Sequence, residues 1–157
     1  MPSQVAMYRR KLSGPLMDRI DLFIEVPALK YEKLVSADVE NSSSKIQERV
    51  GKARKIQEER FNPSILFARS GQAPSTSSSH RTLTNSEMNI PQIGKFCQVD
   101  SKSQDLLRKY VNSGKLSARG YHRVLKVART IADLEESENI LYDHLAEALM
   151  YRVREEN

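Results

Sequence analysis

The longest regular pattern of apolar positions lies in residues 116–134, LSARGYHRVLKVARTIADL. Tyr121, Val124, Leu125, Ala128, Ile131 and Ala132 recur at the 3.6-residue period and predict a helix with one buried stripe. On the opposite side Arg119, Arg123 and Lys126 follow one another at intervals of four and three, which predicts a basic outward face. Ser117 is a natural N-cap, since its hydroxyl can accept from an unpaired first-turn amide. Arg119 then falls in the first turn. A cation there opposes the helix dipole by a few tenths of a kcal/mol, yet free amides beside a guanidinium suit a phosphate. Gly120 costs about 1 kcal/mol relative to alanine inside a helix, but it lets another group approach the backbone closely. The competing account of Arg119 is an ordinary solvated arginine on an amphipathic helix.

Weaker patterns flank this one. Residues 44–61 place Ile46, Val50, Ala53, Ile56 or Gln57, and Phe61 along one side of a long helix, which Asn62-Pro63 stops. Asn89 caps a short helix with Pro91 in its first turn and with Ile93, Phe96 and Cys97 inward. Asp100 or Ser101 caps a helix over 102–112 whose Leu106, Leu107, Tyr110 and Val111 face the core, and Ser113-Gly114 ends it. The short link to the next helix predicts a near-antiparallel pair. A last helix over 142–154 uses Leu145, Ala148, Leu149 and Arg152 or Val153. Residues 21–26 alternate as a strand would, and Pro27 ends them. A lone strand needs a neighbour for its backbone groups, so its partner sheet is expected outside this chain. From Ala68 the composition turns serine-rich and reads as an exposed, mobile loop.

Composition narrows the function classes. Six glycines, six prolines and no tryptophan among 157 residues suit helices with few tight turns. The formal net charge of +5 is compatible with a polyanionic partner without naming one, because the 25 basic and 20 acidic residues are largely interleaved. A single cysteine, Cys97, excludes an intrachain disulfide and suits a reducing compartment. No apolar run of about 18 residues and no leader pattern is present, so a cytoplasmic protein without a membrane partner is expected. The chain lacks a GxxxxGK(S/T) phosphate loop, a GxGxxG turn, an HExxH pair and a nucleophile elbow. His80, His122 and His144 do not have metal-ligand spacing, so no metal site is expected. The suggestive side chains are arginines, Arg19 after SGPLMD and Arg119 after LSA, suited to bidentate and permanently charged contact with phosphate.

Residues 8–27, YRRKLSGPLMDRIDLFIEVP, residues 116–140, LSARGYHRVLKVARTIADLEESENI, and the following HLAEALMYR resemble the C-terminal part of the bacterial magnesium-chelatase-like AAA+ ATPases, the ComM (YifB) family. SSSKIQERVGKARKIQEERF is similar to the helix between those blocks, so the resemblance covers nearly all of the chain outside the serine-rich loop. It implies a mainly α fold: a helical-bundle lid with a long helix and a short N-terminal remnant strand of an α/β core. The implied divisions are core remnant 1–30, connector and long helix 31–67, flexible loop 68–88 and lid 89–157. It also implies a catalytic role for Arg19 as an arginine finger acting in trans, and a nucleotide-binding role for Arg119 as the sensor-2 arginine. The family pattern has alanine where this chain has Gly120, which loosens the helix presenting Arg119.

The Walker A, Walker B and sensor-1 segments belong to the missing N-terminal core, so the chain is expected to be a fragment that is inactive alone and needs no cofactor by itself. The intact protein is expected to use ATP and Mg²⁺ in a hexameric motor that remodels DNA in branch migration and natural transformation. No porphyrin or metal site follows from the family name. The alternative is a freestanding basic helical module that binds nucleic acid through Arg123 and Lys126, and a purely structural interaction domain is a third class.

Overall fold

The computed structural model describes residues 18–28, 31, 42–62 and 82–152. Among the described residues the architecture is mainly helical: α1 (Ser43–Phe61), a 3-10 turn (Asn85–Glu87), α2 (Ile90–Phe96), α3 (Ser101–Asn112), α4 (Ala118–Leu134) and α5 (Tyr142–Met150). None of these helices is long and apolar enough to cross a membrane. Most of the serine-rich tract, the basic residues 1–12 and Val153 lie outside the described residues.

The helix starts follow the capping side chains. Ser117 Oγ accepts from the Gly120 amide at 3.0 Å, and Asp100 Oδ1 accepts from the Ser103 amide at 2.9 Å. The Ser103 side chain, and after it the Ser103 amide, hold the Asp100 carboxyl below its ordinary value of 3.8. At α2 the Asn89 and Gln92 side chains cap reciprocally, each accepting from the other's amide, at 3.0 and 2.9 Å. The α5 start is capped by His144, whose Nδ1 accepts from the Leu141 amide at 3.0 Å while Nε2 lies 2.9 Å from Glu135. That leaves Nε2–H as the donor to the carboxylate. Gly114, at φ 71, takes the left-handed conformation that ends α3.

The core sits around α4. Val124, Leu125, Ala128, Ile131 and Ala132 are buried as their periodicity requires, whereas Tyr121 is only partly covered. Leu145, Ala148 and Leu149 of α5, Ile93 and Cys97 near α2, and Leu107 of α3 close on this stripe. Phe61 at the end of α1 meets Phe96 edge to face, with ring centroids 5.7 Å apart.

Several expectations change. Val111 of α3 is exposed, and so are Ile46 and Val50 of α1, which buries only Ala53 and Gln57. The final helix stops at Met150 and not at 154. Within residues 82–88, read as the end of a flexible loop, Asn85 and Met88 are almost fully buried while Leu83, Ser86 and Glu87 are exposed. Residues 20–28 form no strand, and Ile24 and Val26 stand 68% and 84% exposed. The reason is the one that makes any lone strand unstable: among the described residues there is no neighbour to pair with. The Phe23 amide nevertheless donates to the Tyr151 carbonyl at 2.8 Å.

Candidate functional site

The three cations predicted to line α4 meet different fates. Arg119, in the first turn beyond the Ser117 cap, is exposed and has no hydrogen bond or ion pair among the described residues. Arg123, one turn on, is ion-paired with Asp21. Lys126 donates to the Ser86 carbonyl at 2.8 Å. Burial lowers the pKa of Lys126, with Arg123 beside it acting in the same direction and Asp21 opposing. A row of three free cations is thus reduced to one.

Arg119 stands at a cleft of about 1220 Å³ between α4, α2 and residues 21–24. Its walls are apolar at Leu22, Ile24, Met88, Ile90 and Ile93, and its cationic rim is Arg49, Arg119, Arg123 and Lys126. His122 also faces it, and neither ring nitrogen, both buried, has a hydrogen-bond partner among the described residues. Arg19 is exposed and does not line this cleft. The structure therefore gathers Arg119, Arg123 and Lys126 around one space and leaves Arg19 outside it. Among the described residues no three His, Cys, Asp or Glu side chains converge as metal ligands would.

The turn carrying Arg19 is nevertheless tied to α4. Asp18 Oδ1 accepts from Ser117 Oγ at 3.1 Å and from Arg152 Nη2 at 2.9 Å. Arg152 Nη1 also donates to the Ile20 carbonyl. Gly120 makes room for this: a Cβ there would lie 3.0 Å from Leu116 Cδ1, 3.3 Å from Ser117 Oγ and 3.4 Å from Arg152 Nε. The glycine that departs from the expected alanine thus sits at a close approach, which the sequence had allowed as its physical meaning.

A second charged cluster was not legible in the pattern. Asp133 of α4 is fully buried and accepts from Arg60 Nη2 at 2.5 Å, Arg60 Nη1 at 2.7 Å, Asn85 Nδ2 at 2.7 Å and Arg129 Nε at 3.1 Å. Arg129, also buried, spends its other donors on the Glu138 and Ser137 carbonyls at 2.8 and 2.6 Å. Burial lowers the Arg129 pKa and Asp133 opposes that shift. The spacing of Arg129 and Asp133 reads as an ordinary surface i,i+4 pair. Arg60 and Asn85 reach it only through the tertiary fold.

Residues 40–152 match the family model for the C-terminal region of the magnesium chelatase subunit ChlI, which is more than half of the chain. The chain belongs to the magnesium chelatase family. Residues 1–34 match the ChlI model itself, so Arg19 and Arg119 fall in two adjoining matched regions of the family. Relatives within this magnesium-chelatase-like group include competence protein ComM of Haemophilus influenzae, 40% identical over 96% of this chain and 26% of that protein. YifB of Escherichia coli is 35% identical and YifB of Salmonella typhimurium 32%, each over 96% of this chain and 26% of the relative. The chain spans about a quarter of the length of the curated relatives it matches, and corresponds to the C-terminal region of a magnesium-chelatase-like protein of the ComM and YifB type.

Proposed function

We propose that this chain is the lid of a hexameric, ATP-hydrolysing motor that remodels DNA, and that it contributes Arg119 as a sensor of bound nucleotide and Arg19 as a finger reaching a neighbouring subunit. The observation that carries the reading is the isolation of Arg119. Its two neighbours on the same face are engaged by Asp21 and by the Ser86 carbonyl, whereas Arg119 is exposed in the first turn of α4 with no partner among the described residues. A guanidinium there fits a phosphate, because the cation and the helix start act on the same anion. In the intact protein Arg119 would contact the polyphosphate held beneath its own lid. The described residues bring no carboxylate trio together, so in this reading the Mg²⁺ ligands come from the ATPase core. ATP supplies the phosphoryl group, and Mg²⁺ neutralises its charge when bound.

Arg19 is exposed and does not line the Arg119 cleft, which supports action on another subunit's nucleotide. A finger of this kind can be worth about 10³-fold or more in rate. The engagement of Arg123 and Lys126 by protein partners argues against the alternative of a freestanding nucleic-acid module. In the full-length protein, Arg19→Ala is expected to abolish hydrolysis while nucleotide binding persists, and Arg119→Ala to lower hydrolysis. Mixing Arg19→Ala subunits with phosphate-loop mutants tests the trans assignment. Recovery of activity at mixed interfaces supports it, and no recovery at any ratio, with hexamers confirmed, refutes it.

A further inference from the structure

We propose that Arg152 is a positioning residue that locks the turn carrying Arg19 to the N-terminus of α4, so that the finger and the sensor move as one unit. The inference rests on the roles proposed above for Arg19 and Arg119. Arg152 lies just beyond α5, and its side chain is 7% exposed. Its guanidinium forks: Nη2 reaches Asp18 at 2.9 Å, and Nη1 reaches the Ile20 carbonyl, so the donors bracket Arg19 on both sides in sequence. Asp18 in turn accepts from Ser117 Oγ, the hydroxyl that caps α4, whose first turn carries Arg119. Two further links hold the same segment. Asp21 pairs with Arg123, one turn along α4 from Arg119, and the Phe23 amide donates to the Tyr151 carbonyl beside Arg152.

The consequence is mechanical. If nucleotide draws Arg119 and the α4 start towards it, the cap at Ser117 carries Asp18 along, and Arg19 follows as the next residue. A site on one subunit would thereby be coupled to the finger that serves its neighbour. A lysine at position 152 could meet Asp18 but could not fork to the Ile20 carbonyl at the same time. Lysine would therefore keep part of the lock and arginine all of it.

Hydrogen exchange on this chain tests the lock. In Arg152→Ala the Phe23 amide is expected to exchange about tenfold faster, while α3 amides keep their rates. Arg152→Lys should fall between the variant and the wild type, and Asp18→Asn combined with Arg152→Ala should be no worse than Arg152→Ala alone. Unchanged Phe23 exchange, or equal acceleration of α3, overturns the lock. In the full-length protein, with Arg19→Ala measured in parallel, Arg152→Ala should lower kcat for ATP and leave KM unchanged. Loss of rate in Arg19→Ala with a wild-type rate in Arg152→Ala overturns the coupling and spares the finger. A wild-type rate in Arg19→Ala overturns the finger itself and with it the functional half of this proposal, and the exchange result still decides the lock.

Discussion

Replacing Asp133 by alanine should be the most damaging single substitution of a polar residue in the described part of this chain. Asp133 has no exposed surface and accepts four hydrogen bonds, three of them from guanidinium groups. Its removal leaves two arginines facing each other across a buried space. Arg60 retains 12% side-chain exposure and can turn towards water, but Arg129 retains 4% and is held by two carbonyls, so most of the cost falls on Arg129. Breaking a buried pair by deleting one partner costs about 3–5 kcal/mol, equivalent to a fall in Tm of roughly 10 °C for a chain of this size. Arg60→Ala should cost less, about 2 kcal/mol, because Asp133 then keeps Arg129 and Asn85. Urea unfolding followed by far-ultraviolet circular dichroism measures both, and the double variant should show a coupling above about 1 kcal/mol. A change below about 1 kcal/mol in Asp133→Ala, at unchanged urea dependence, would refute the claim that this carboxylate holds α1 on α4.

Other outcomes follow from the same structure. Asp100 has a depressed folded pKa, so its capping contribution is present above the unfolded value near 3.8 and is lost as pH falls through the lower folded value; the urea midpoints of wild type and Asp100→Asn should converge in that acid window, and a difference independent of pH would contradict it. Burial pushes the Cys97 thiol up to about 11, so the folded chain should resist thiol-alkylating reagents at neutral pH and react when urea unfolds it; rapid labelling without urea would show the site to be open. The same raised value means that the thiol's contribution to stability is present below its ordinary pKa of 9.0 and is lost as pH rises through about 11. Arg19→Ala and Arg119→Ala, both at exposed positions, should each change stability by less than about 0.5 kcal/mol, so a larger shift in the urea midpoint would reveal a structural role for that arginine.

The local features of this chain were determined by residues close together in sequence. Ser117, Asp100 and Asn89 mark helix starts because a side-chain oxygen two or three residues away from a free amide needs no tertiary help. The α4 stripe is legible because period 3.6 puts its apolar residues on one face, and Gly120 announced a close approach without naming what approaches. The tertiary structure decided the state of the charges on α4. Arg123 and Lys126 look like the same solvated face as Arg119 until Asp21 and Ser86 are brought against them from 102 and 40 residues away. Arg129 and Asp133 look like a surface pair until Arg60 arrives from 73 residues away and the cluster is sealed. The apparent strand at 21–26 depended on a neighbour the described residues do not supply. Helix caps and apolar stripes are short-range, so spacing reveals them; the burial and pairing of a charge depend on which distant segments pack against it, and spacing carries no record of that.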